Sequence, residues 1–224
     1  MLQDVYLRYR NGCMRLFSMD DQERLVFLGT AFVVHPDGYL LTVSHAIGNH
    51  KNLMVVPVPS DVDFLPMSPE ELNAMPVHVV SQDKDRDVAL LAFSESMEIT
   101  MPDHVIGVPD AVDMGNGVAC LGFAFGFQCI YNQVMQQAVV CAKMRSNNET
   151  KLFLFDSRVH DGSRGGPLLN MEDQRVIGIV SGRFDPLEAS PATEEERGMP
   201  TSFSYAVSIE YAIPLMEEAG LEIL

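Results

Sequence analysis

Three short patterns in the chain carry residue types that do chemistry. "GTAFVVHPDGYLLTVSHA" (29–46) delivers His45 at the end of what reads as the second strand of a hairpin. In "DRDVALLAF" (85–93), Asp87 stands directly before an apolar strand. "DGSRGGPLLN" (161–170) is a glycine-rich turn that feeds another apolar run. Acid–base and nucleophilic catalysis use an imidazole, a carboxylate and a tightly turned backbone. Singly, each pattern has a structural explanation: a polar strand end, a strand start and a turn. Their conjunction in this order is far more specific.

The elements that must position these residues read mainly as strands. "RLVFLGTAFVV" (24–34) is rich in β-branched and aromatic residues, "HPDG" (35–38) is turn chemistry, and "YLLTVSHAI" (39–47) resumes the apolar run. Further strands are expected at 53–58, 76–81 and 88–93 and, after a polar connector near 94–104, at 117–123, 132–144, 151–156, 176–182 and 204–209. Short strands at this density, punctuated by Gly and Pro, argue for an all-β barrel or sandwich. Helical signal is confined to "IEYAIPLMEEAG" (209–220), which reads as a short closing helix. The proline- and acid-rich stretch 183–204 reads as a long surface loop. The central connector divides the chain into two β units, 1–100 carrying His45 and Asp87, and 101–224 carrying the glycine turn and the closing helix.

Composition narrows the functions. With 224 residues, 47% hydrophobic and 21% charged, the chain can build an ordinary core. The formal charge of −16, from 31 acidic and 15 basic residues, repels phosphate backbones and argues against nucleic acid as a partner. No run approaches the roughly 20 apolar residues of a membrane helix. The first residues, "MLQDVYLRYRNGC", lack the pattern of a secretory leader, which predicts a cytoplasmic chain if it is complete and a periplasmic or secreted one if a leader has been removed. The four cysteines form no CxxC pair and suggest reduced, mostly buried thiols. His45 and His50 stand at no metal-binding spacing, so neither metal nor cofactor is expected.

With these residues in view, the sequence resembles the trypsin-like serine peptidases, in the style of the bacterial HtrA (DegP) branch. That family's patterns are a G-x-G/A-F strand, T-x-x-H, D-x-A-x-L and G-N-S-G-G-P. Here they are residues 29–32, 42–45, 87–91 and 162–167, with further matches in "LGFAFG" (121–126), "FDSRVHDG" (155–162) and "YAVSIEYAIP" (205–214). The resemblance implies two six-stranded β-barrels with a cleft between them. It makes His45 the general base and Asp87 the group that orients it. It assigns the oxyanion hole to the backbone amides of Gly162 and Arg164, and a supporting role to Ser181. The pocket for the substrate's leading side chain would involve Arg158, Gly182 and Arg183, which favours acidic side chains if the arginines face inward.

Three departures from the family's pattern stand out. No cysteine flanks His45, unlike the disulfide-braced digestive enzymes, and no PDZ module is expected in these 224 residues. Above all, "GSRGGP" laid on "GNSGGP" puts Arg164 at the position of the nucleophilic serine. A guanidinium is not a useful nucleophile. Ser163, one residue earlier, is an alternative nucleophile, but displacement by about 1 Å can already cost 100-fold. Asp161, or the "EEE" run at 194–196, could hold the Arg164 guanidinium and plug the cleft. The expected role is a proteolytically inactive homologue that binds peptide or protein. The alternatives are an active serine endopeptidase, through Ser163 or as the parent of an Arg164 variant, and a scaffold with an obstructed groove.

Overall fold

The structure is a computed structural model that describes residues 2–59, 64–69, 72–184 and 202–223. Its strands close into two six-stranded barrels. The first is built from β1 (Cys13–Met19), β2 (Leu25–His35), β3 (Tyr39–Thr42), β4 (Leu53–Val56), β5 (Met75–Asp83) and β6 (Val88–Phe93), in the order β1-β2-β3-β6-β5-β4. The second takes β7 (Gly117–Gly122), β8 (Val134–Arg145), β9 (Lys151–Phe155), β10 (Pro167–Asn170), β11 (Val176–Arg183) and β12 (Ser204–Ser208), in the order β10-β11-β12-β9-β8-β7. All strand pairs within the barrels are antiparallel.

The continuous apolar run of β6 follows from where it sits. Successive side chains of a strand point to opposite faces. Ala89, Leu91 and Phe93 enter the core of the first barrel, whereas Val88 and Leu90 join a cluster shared by both barrels. β2 divides in the same way, with Leu28, Ala31 and Val33 inward and Phe27, Phe32 and Val34 towards the shared cluster. From the second barrel that cluster takes Leu121, Phe123, Leu169 and Ile179. Strands buried on both faces show no polar alternation, and the shared core holds the two barrels as one body at the cleft.

Several local expectations are corrected. Two strands went unread. "CMRLFSM" is β1, whose Arg15 and Ser18 interrupt the apolar pattern yet are both buried. "PLLN" is β10, only 4 residues long after the glycine turn. Helix is not confined to the C-terminus: α1 (Leu2–Tyr9) precedes the first barrel and buries Val5 and Tyr9. The second hairpin strand stops at Thr42, the last residue paired with β6, so His45 lies not at a strand end but in the single turn α2 (Ser44–Ile47). The closing helix is α3 (Ile213–Glu218), preceded by a 3-10 turn at Ile209–Ala212. Most of the long loop read at 183–204, including the 194–196 acidic run, lies outside the described residues.

All four cysteines are free, but only Cys13 and Cys120 are buried; Cys129 is exposed. Burial pushes the Cys13 and Cys120 thiols up to about 12, which suppresses the reactive thiolate. A disulfide-exchange reagent at neutral pH is therefore expected to modify Cys129 in the native protein and to reach Cys13 and Cys120 only after unfolding. Equal rates at all four thiols would contradict this packing.

Candidate active site

The His45 and Asp87 side chains meet at the mouth of the first barrel. His45 Nδ1 lies 2.8 Å from Asp87 Oδ2 and 3.0 Å from Oδ1. The backbone N–H of His45 donates to Oδ1 at 2.9 Å. An ionised carboxylate only accepts hydrogen bonds, so Nδ1 carries the proton and Nε2 is the basic nitrogen left for other partners. Ser181, at the end of β11, donates its hydroxyl to Asp87 Oδ2 at 2.7 Å. The carboxylate thus accepts from the α2 backbone, from the imidazole and from the second barrel. Asp87 has φ of 60°, a left-handed conformation that Asp tolerates better than most residues. It lets the chain turn sharply into β6 with the side chain aimed at α2.

The glycine turn is clamped to the first barrel. Thr30 of β2, fully buried, donates its hydroxyl to the Gly162 carbonyl at 2.8 Å, and its N–H donates to the Arg164 carbonyl at 2.8 Å. Thr42 donates to the Thr30 carbonyl at 2.7 Å. A Cβ on Gly29 would stand 2.8 Å from the Arg164 carbonyl, so this close approach requires glycine there. Sequence reasoning gave Thr30 no role and took Thr42 only as the first residue of the T-x-x-H pattern; a threonine in a strand carries no signal of a clamp of this kind.

Asp161–Ser163 forms a 3-10 turn in which the Arg164 N–H donates to the Asp161 carbonyl at 3.2 Å. That amide is one of the two assigned to the oxyanion hole, and here a carbonyl occupies it. The Arg164 guanidinium lies 3.0 Å from Asp161 Oδ1, and Arg183 reaches the same oxygen at 3.4 Å. Asp161, named from the sequence as a partner for Arg164, is thus shared by two arginines. All three side chains are between 36% and 48% exposed, so these pairs contribute at most about 1 kcal/mol each and are open to competition. The Arg164 Nε is buried, has no hydrogen-bond partner among the described residues, and lies 3.6 Å from where a Cβ on Gly182 would stand. Arg164 therefore reaches along the turn towards Gly182 and Asp161. Ser163 is 2% exposed, with its Cα and Cβ packed against Gly122 of β7. Arg158 is exposed, and its carbonyl accepts from Gln136 Nε2 at 3.2 Å.

Two closed antiparallel barrels with a His–Asp pair and a glycine turn at their junction define the trypsin-type double barrel. Residues 29–179 match the trypsin-like peptidase domain, and the chain belongs to that family. Among curated proteins it is 26% identical over 202 residues to a probable periplasmic serine endoprotease DegP-like of Pseudomonas putida (89% of this chain, 36% of that protein). A protein of the same description from Rickettsia conorii is 24% identical over 218 residues (95% of this chain, 37% of that protein). The chain thus spans about a third of the length of these relatives. Among solved structures, the HtrA-type protease AlgW with a tripeptide superposes with a TM-score of 0.72 at 18% identity, covering 99% of this chain and 65% of that one. The chain is an HtrA/DegP-like homologue of the trypsin-like serine proteases.

Proposed function

We propose that this chain is a proteolytically inactive peptidase homologue that binds peptide or protein segments in the cleft between its barrels. The observation that carries the reading is Arg164 in the glycine turn, aligned on the nucleophile and engaged with Asp161. His45 keeps its orienting carboxylate but has no hydroxyl at that place to activate. The reading is supported at Ser163, whose 2% exposure leaves no surface for an incoming carbonyl. The occupied Arg164 amide supports it further, since transition-state stabilisation needs that donor free. The two barrels, within 1–100 and 101–224, act as one peptidase-like unit.

Binding rests on the strand edge beside the turn. Among the described residues, the end of β11 pairs through Gly182 and Arg183 with β12 alone; on its other side the pairing with β10 and the glycine turn ends at Val180, which exchanges hydrogen bonds with Gly165 and Gly166. An extended peptide can add to that unpaired edge through main-chain hydrogen bonds. Arg164 and Arg183 share a single carboxylate, leaving the groove locally cationic and suited to acidic side chains. A set of fluorescent decapeptides tests this by anisotropy followed by mass spectrometry. Saturable binding that favours Asp and Glu, with every peptide recovered intact, is the expected result. Time-dependent cleavage by the native chain would support the endopeptidase alternative instead, and the absence of binding would support the scaffold.

A further inference from the structure

A second candidate site is built around β1 of the first barrel. Arg15 of β1 is 5% exposed. Its Nε donates to the Val56 carbonyl at 3.3 Å and its Nη2 to the Pro57 carbonyl, and its guanidinium carbon stands 5.7 Å from the centre of the Phe123 ring. No carboxylate among the described residues pairs with it. Carbonyl oxygens satisfy N–H groups but do not neutralise a charge, and an uncompensated buried cation is costly. Burial brings the Arg15 pKa down to about 10, which still leaves it charged at neutral pH.

The same side chain lines a cavity of about 500 Å³. That volume falls within the roughly 300–1,000 Å³ of small-molecule sites. The described wall is otherwise almost wholly apolar: Val58, Leu65, Leu72, four prolines and Tyr131. The segment forming its outer side is tied to the second barrel, with Tyr131 N–H donating to the Met67 carbonyl at 2.9 Å and Asn132 Nδ2 to the Leu65 carbonyl at 3.2 Å. Exposed Phe64 and Met67 extend the apolar character of that segment to the surface. One cation in an apolar chamber suits a monoanion with an apolar body. A phosphate group would need several further donors, and the wall offers few.

We infer that this cavity binds an aliphatic monocarboxylate, a fatty acid whose head pairs with Arg15 and whose chain lies against the proline-rich wall. Isothermal titration of the native chain with dodecanoate, with dodecanol and dodecyltrimethylammonium as chain-matched controls, tests it. Dodecanoate is expected to bind at a single site in the micromolar range, and both controls about tenfold or more weaker, the worth of a charge-assisted hydrogen bond. Arg15→Met should weaken dodecanoate by about the same factor without changing dodecanol. Val58→Trp, which leaves the cation in place and fills the chamber, should weaken both, so the test does not depend on one variant folding. The assignment is overturned if dodecanoate does not saturate by about 1 mM, if dodecanol binds as tightly, or if neither variant alters binding.

Discussion

Arg164→Ser is expected to turn a silent chain into one that cleaves a casein-type substrate and takes up a fluorophosphonate serine probe. His45 already has its Nδ1 on Asp87 at 2.8 Å, and on the proposed alignment a hydroxyl at position 164 supplies the missing nucleophile. Losing a nucleophile in such a triad costs about 10⁶ in kcat. The gain here should be smaller, because the residue 164 amide is bonded to the Asp161 carbonyl and must be released first. A missing oxyanion donor costs about 10²–10³, which leaves an expected gain of about 10³–10⁴ in turnover. Adding His45→Ala to Arg164→Ser should abolish it. A single variant as silent as the native chain would mean that the cleft has diverged beyond the nucleophile.

The second large effect is on stability. Gly165 has φ of +85°, and a Cβ there would stand 2.1 Å from the Thr30 carbonyl oxygen and 2.2 Å from Thr42 Oγ1. Gly165→Ala combines a left-handed residue with a clash against two immobile groups of β2 and β3. The expected loss is about 3–5 kcal/mol, read as a fall in Tm of about 6–20 °C for a chain of this size. An unchanged Tm would show that the turn is not clamped to the first barrel as described. The glycine is required by packing whether or not the turn does chemistry, so its presence says nothing about activity.

Much of the fold could be read from the sequence because its strands carry distinct signals. "VALLAF" is apolar throughout since it faces two cores, and "HPDG" ends in Gly38 at φ of +81°. β1 was opaque because Arg15 is buried and, among the described residues, has no countercharge, a placement no periodicity announces. α1 was missed because it is a short helix with only Val5 and Tyr9 buried. Within the site, spacing and resemblance singled out His45, Asp87 and Ser181, which the structure brings together around one carboxylate. Asp161 was named, beside the 194–196 run, as a carboxylate able to hold Arg164, and the structure places the two side chains 3.0 Å apart. The orientation of the Arg164 amide had no such signal. It is set by the 3-10 turn and the Thr30 clamp, which join segments far apart in the chain.

If the native chain has no activated serine, a fluorophosphonate probe, which phosphonylates such a serine, should separate it from Arg164→Ser run beside it as the positive control. Label is expected on the variant and none on the native protein. Label on the native protein that disappears in Ser163→Ala would contradict this expectation and make Ser163 the nucleophile of an active peptidase.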